Sequence, residues 1–259
     1  MDQDTFASAF RGVPGLTPVD AKVVGDPECG MLIRKLTLDQ AIALQTNLKA
    51  VGNNTELVAE AALPGLPEGR IIRSLQCSAD TLTVRDPMQR STNIAKQDFK
   101  LLAAGSLRTA AFSRRRIETQ EVRAHTLHIP IHPFPLMIPI VQHETRVQYV
   151  QRESEEWVLR AEIIVANQRF TIEGENFDYG CLGSAMTQNV ATNFCLLVHE
   201  VTCKFSPPLV SRGVRSILAD PPEFGYYANK EAFHNELIWL LWREASKPAG
   251  NEQAFCRNP

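Results

Sequence analysis

RVQYVQRESEEWVLRAEIIVANQRFTIEGENFDYGCLGSAMTQNVATNFCLLVHEVTCKF (residues 146–205) is the stretch in which hydrophobic periodicity changes from 2 to 3.6. Val147 and Tyr149 share a face, and Arg152-Glu153-Ser154-Glu155-Glu156 reads as a charged turn. Trp157, Leu159, Ala161, Ile163 and Val165 then alternate with Arg160 and Glu162, the pattern of a strand with one face toward a core. Asn167-Gln168 predicts a hairpin turn onto a strand carrying Phe170 and Ile172. Past Gly180 and Gly183, the residues Val190, Phe194, Leu197, Val198, Val201 and Phe205 fall in one stripe of a helix that Pro207-Pro208 ends. A meander followed by an amphipathic helix makes this an α+β protein.

Working outward, the pattern upstream predicts another meander: Arg70 to Cys77, Thr81 to Arg85 with Leu82 and Val84 on one face, and Ser91 to Ala95 after the turn Asp86-Pro87-Met88-Gln89. Gln97 to Ala104 fits a short helix or a further strand. Before the break at Pro64-Gly65-Leu66-Pro67-Glu68-Gly69 lies a small βαβ-like unit. Its strands are Gly30 to Leu36 and Thr55 to Glu60, and its helix, about Leu38 to Val51, starts at a Thr37/Gln40 capping box. Leu38, Ala41, Ile42, Leu48 and Val51 form the expected inner face of that helix. Its first strand-to-helix turn, Leu36-Thr37-Leu38, lacks the glycine a nucleotide phosphate would need there. A last helix, about Lys230 to Ala245, carries Phe233, Leu237, Leu240 and Leu241 on one face with Trp239 and Trp242 beside them. The domain reading is therefore 1–67 (leader and βαβ-like unit), 68–218 (β-rich domain with closing helix) and 219–259 (C-terminal helix and tail).

Composition narrows the function classes. A net charge of -2 offers no long-range positive field for nucleic acid. The acidic start Met1-Asp2-Gln3-Asp4 has no secretory n-region, and the longest apolar tract, Pro133 to Val141, is too short and too rich in proline to span a bilayer. Cys29, Cys77, Cys181, Cys195, Cys203 and Cys256 are scattered without a C-x-x-C pair, which reads as reduced thiols and a cytoplasmic setting.

The order of two three-stranded meanders and an amphipathic helix resembles a pleckstrin-homology-like or split-barrel region. The phrases Phe177-Asp178-Tyr179, Leu182-Gly183, Asn193-Phe194 and Trp239-Leu240-Leu241-Trp242 are similar to bacterial proteins of unassigned function. The resemblance covers roughly residues 70–245. It implies binding of peptides, lipid headgroups or proteins without chemistry of its own, and it transfers no ligand residues.

Four constellations carry possible chemistry. His125, His128, His132 and His143 are metal-competent imidazoles close in sequence, but prolines at 130, 133, 135 and 139 favour extended backbone that turns them to different sides, so an extended Pro-rich loop is the better reading. Cys195, His199 and Cys203 recur at i, i+4 and i+8 on one helix, with cysteine where a zinc peptidase motif needs its second histidine. Arg108, Arg114, Arg115 and Arg116 form a basic patch able to hold phosphate or an acidic partner, though such runs are most often solvated surface. Asp178 before Tyr179-Gly180 reads as a cap.

These observations predict a non-catalytic binding, regulatory or scaffold protein with no required cofactor, whose partner is another protein or a second copy of itself. The interaction element is expected within 124–143, where Ile129, Ile131, Phe134, Leu136, Met137 and Ile138 are too apolar for an idle loop. The alternatives are a metal-dependent enzyme or metal-binding protein built on the histidine cluster, and a basic-loop phosphate or nucleic-acid binder.

Overall fold

A computed structural model describes residues 3–17, 30–31, 33–129 and 136–247, with side chains apart from those of 3–6 and 110–154. The chain forms two compact units: Met1–Thr109 with Trp157–Pro259, and Ala110–Glu156. The expected boundaries at 67/68 and 218/219 both fall inside the first unit.

In the first unit, helix α1 (Gln3–Arg11) precedes α2 (Leu38–Ala50). The capping box of α2 forms as its sequence predicts: the Gln40 amide donates to Thr37 Oγ1 at 3.3 Å, and the Thr37 amide donates to Gln40 Oε1 at 3.0 Å. Its inner face is the expected one only at Leu48. Leu44 and Leu48 are buried against Phe10 and Val13, whereas Leu38, Ile42 and Val51 are exposed. The described residues of the flanking segments are not strands, so the βαβ-like unit is corrected to a helix pair with irregular flanks. With α1 covering α2, the helix has no need of a sheet beneath it, and local β pattern alone does not supply a ladder partner.

Strands β1 (Gly69–Ile72), β2 (Ser74–Cys77), β3 (Thr81–Arg85), β4 (Ser91–Ala95), β5 (Phe99–Ile129), β6 (Leu136–Val165) and β7 (Gln168–Glu173) follow. The run from Arg70 to Cys77 is one strand by pattern and two in space. At Arg73 the chain leaves one sheet for another: its amide donates to Arg85 O and its carbonyl accepts from the Asp178 amide, both at 2.7 Å. β2, β3 and β4 form the predicted antiparallel meander, with Leu82 and Val84 buried. Gln97 to Ala104 is a 3₁₀ turn leading into β5.

β1 pairs in parallel with β7 in a six-stranded sheet of order β1-β7-β6-β5-β8, where β8 is Leu209–Val210 and β9 (Tyr226–Tyr227) also pairs with β5. The two meanders therefore lie in separate open sheets and do not close into one barrel. Ala161, Ile163 and Val165 pack with Phe194, Leu197 and Val198 of α3 (Val190–Phe205). On the opposite face, Ile164 packs with Phe233 and Leu237 of the last helix. Between these helices α4 (Arg212–Ile217) approaches β5 closely: a Cβ on Gly213 would lie 1.9 Å from Ala104 O, and Gly225 lies against Gly213. The last helix, α5 (Lys230–Ala245), has the predicted bounds.

The second unit contains, among its described residues, only the C-terminal part of β5 and the N-terminal part of β6, neighbours in the sheet order. Residues 152–156 are strand, not a turn, and 124–129 and 136–143 are strand, not a Pro-rich loop. The physical reason is shared: a strand tolerates a proline where its amide is not needed in the ladder, and a charge run is compatible with strand backbone, so residue type alone does not separate such strands from loops.

Candidate functional site

A cleft of about 590 Å³ lies in the first unit. One wall is formed by Gly30, Met31 and residues 33–36, the other by 54–60, α2 provides the floor through Leu44 and Leu48, and α5 contributes Trp239 and Trp242. Gly30 makes this possible, because a side chain there would meet the Trp239 ring at 2.2 Å; Arg243 lies over the same ring at 5.3 Å. Arg34 ties the walls together through an ion pair with Glu60, whose carboxyl is lowered by that hydrogen bond, and its NH1 reaches Asn235 Oδ1 of α5 at 3.5 Å. Two polar atoms of the walls, Arg34 Nε and Thr55 Oγ1, are buried without a hydrogen-bond partner among the described residues. The volume lies in the range of ligand clefts, and the lining mixes apolar surface with a few polar groups.

Two buried carboxylates sit elsewhere in this unit. Glu162, with no exposed side-chain surface, accepts from Arg160 Nε and Arg169 NH1, both at 2.9 Å, and its Oε1 lies 3.1 Å from His234 Nε2. Burial raises its pKa, but the hydrogen bond and charge of His234, with Arg169 and Arg160, overcome that and hold it down at about 2. A carboxylate so low, with its oxygens taken, is neither an acid nor a free base at neutral pH. Glu236 is likewise occupied: Tyr227 OH and the Arg212 amide both donate to it at 2.6 Å. Both are structural staples.

Of the residues singled out by sequence, those with described side chains are Cys195, His199 and Cys203 on α3, Asp178 before it, and Arg108 on β5. Cys203 Sγ lies 3.6 Å from His199 Nδ1 on α3, but His199 has no further hydrogen-bond partner among the described residues to orient it. Cys195 is half-buried and its thiol is raised by burial, as are Cys77, to about 12, and Cys181, to about 11. These protonated thiols are poor nucleophiles. No group of three or more histidine, cysteine or acidic side chains able to hold a metal occurs among the described residues. Asp178 Oδ1 accepts from the Gly180 amide at 2.9 Å, the predicted cap. Arg108 is exposed on β5.

The side chains of Arg114, Arg115, Arg116, His125, His128, His143, Ile129, Leu136, Met137 and Ile138 lie outside the described residues, as do His132, Ile131, Phe134, Cys29 and Cys256 entirely. The sequence reading missed the cleft because Trp239, Trp242 and Leu48 read as core, and missed Glu162 because it alternates with inward residues. The charges Arg160, Glu162 and Arg169 on adjacent hairpin strands were the available signal for the second.

No protein-family model, no curated protein and no solved structure matches the chain. Among the described residues no helix is long and apolar enough to cross a membrane.

Proposed function

We propose that this chain is a non-catalytic binding protein, regulatory or scaffolding in role, that acts through contacts with another protein or a second copy of itself. The observation that carries the reading is the make-up of the unit Ala110–Glu156. Its described residues are two neighbouring strands with no third strand or helix of the unit's own. A two-stranded hairpin is marginal in water without further strands or a helix against it. This one carries Ile129, Leu136, Met137 and Ile138 at the joined ends of its strands. Covering that apolar end by a partner supplies what the unit lacks. The occupied carboxylates and protonated thiols of the first unit support a role without chemistry.

The test removes residues 124–143 and rejoins the strands through Asn-Gly, a turn suited to two-residue hairpins. The expected result is a chain that keeps a cooperative thermal transition and loses self-association or partner capture, measured by sedimentation and by pull-down against the intact chain. Loss of the transition would make the segment part of the core. Stoichiometric zinc, copper or iron in the purified protein, lost on replacing His125 and His128, would favour a metal site instead.

A further inference from the structure

The outer face of α3 carries a pair of metal-competent side chains that the core does not use. Thr192, Leu196, His199 and Cys203 recur at helical spacing, and His199 and Cys203 are exposed. Cys203 Sγ lies 3.6 Å from His199 Nδ1 and 3.9 Å from its Nε2. A zinc ion bound to sulfur at about 2.3 Å and to nitrogen at about 2.0–2.1 Å, with a tetrahedral angle between the bonds, sets those two atoms about 3.6 Å apart. The separation already suits one shared ion. Neither side chain has another hydrogen-bond partner among the described residues, so both can turn their lone pairs toward it. The charges alongside are satisfied by each other, Lys204 Nζ pairing with Glu200 Oε1 at 2.7 Å. Cys195, two turns before Cys203, packs against the core, and no third ligand joins the pair among the described residues.

We propose that His199 and Cys203 are half of a zinc site, completed by the same two residues of a second copy of this chain. The donor set selects the ion, since imidazole nitrogen with thiolate sulfur suits zinc. The count selects the occupant. Structural zinc takes four protein ligands in a tetrahedron, and one chain supplies two of them. A two-fold axis through the ion doubles the pair into Cys₂His₂, and two-fold pairing is the commonest closed symmetry of homo-oligomers. Two thiolates also cancel the charge of the ion, so the shared site brings no net charge into the contact. Each Cys203 gives its thiol proton to solvent as its sulfur binds, and two protons leave per zinc. Leu196, half-buried on the same stripe, offers the facing helix an apolar contact beside the ion. The site lies on α3 in the first unit and is independent of the hairpin reading.

The experiment titrates zinc alone into the metal-stripped, reduced full chain, follows the mass by sedimentation, and repeats the titration with cobalt(II) as a spectroscopic stand-in. Saturation is expected at about half an equivalent of zinc per chain, with the sedimenting mass about doubled or more against the metal-free chain. Cobalt should show thiolate-to-metal charge transfer and the intense d–d absorption of a tetrahedral site. His199→Ala and Cys203→Ser should each weaken zinc binding about a hundredfold or more, while Cys195→Ser leaves it within about twofold. His199→Cys, which keeps four ligands across the two copies, should still bind zinc and associate. Association without zinc belongs to the hairpin, so the two readings fail separately. Four outcomes overturn the proposal. Zinc binding weaker than about 1 mM is the first, and one zinc per chain at unchanged mass is the second. The third is a cobalt spectrum without a thiolate band. The last is zinc uptake that survives both His199→Ala and Cys203→Ser, which would place the ion elsewhere, as a site at His125 and His128 would.

Discussion

Glu162 stands at a strand position where alternation assigns a solvent-facing side chain, and the sheet buries it because α5 covers that face as well. Alternation identifies two faces; it does not say whether the second is dry. Removing its charge should therefore be costly. Glu162→Gln is expected to lose about 3–5 kcal/mol at pH 7, since Arg160, Arg169 and His234 stay gathered around a neutral group. The carboxyl falls from an ordinary 4.5 to about 2 on folding. Its stabilisation, on the order of 3 kcal/mol, is thus fully present above pH 4.5 and lost as pH falls toward 2. Urea titrations of the parent and the variant should converge over that window; a gap independent of pH would show that the loss is packing rather than charge. The thiols behave oppositely. Cys77, raised to about 12 by burial first and then by the charge of Glu200, stays protonated in the fold, so its contribution is present below pH 9 and lost as pH rises toward 12. With iodoacetamide near neutral pH, exposed Cys203 should react first and Cys77 and Cys181 only after denaturant is added.

Elements were most legible where a local signal and a tertiary need coincide. The bounds of β3 and α5 match the sequence pattern because Leu82, Val84, Phe233 and Leu237 are all buried where their period places them. The segments 30–36 and 55–60 carry the same kind of pattern, and their described residues are irregular, with Lys35 in the left-handed region and Glu60 opening a 3₁₀ turn. A strand needs a second edge, and pattern within one segment cannot supply it. The split of the 70–77 run at Arg73 was invisible for the same reason, since both halves alternate but pair with different strands. Close approach is likewise a property of pairs of elements. The first turn of α4 touches the β5 backbone because Gly213 has no side chain, and Tyr227 OH lies 3.3 Å from its amide. Gly213→Ala would drive a methyl into Ala104 O, and we expect a loss of about 3 kcal/mol or more, read as a lowered melting temperature. Trp242→Ala, at a half-buried position on the cleft, should cost less, about 1–2 kcal/mol.

For the whole molecule, the division into units leads to the last prediction. Leu101, Leu102, Ala103, Ala104 and Leu107 of β5 and Leu159, Ala161, Ile163, Ile164 and Val165 of β6 pack in the cores of the first unit, while the unit Ala110–Glu156 consists, among its described residues, of two strand segments alone. Sequence gave no sign of this division, because the charges at 152–156 and the prolines near 130–139 look like turns and the strands run through the first of them. Hydrogen exchange tests the consequence. Amides of 110–129 and 136–156 should exchange through an opening that costs much less than global unfolding, whereas those of 99–107 and 159–165 should exchange only at the global free energy. If a second copy covers the hairpin, protection of 110–129 and 136–156 should rise with protein concentration, because association stabilises by mass action. If the partner is a different protein, protection should stay constant on dilution and rise only when that partner is added. Equal protection across both units at every concentration would mean that the hairpin shares the stability of the core, and the case for a partner covering it would fail.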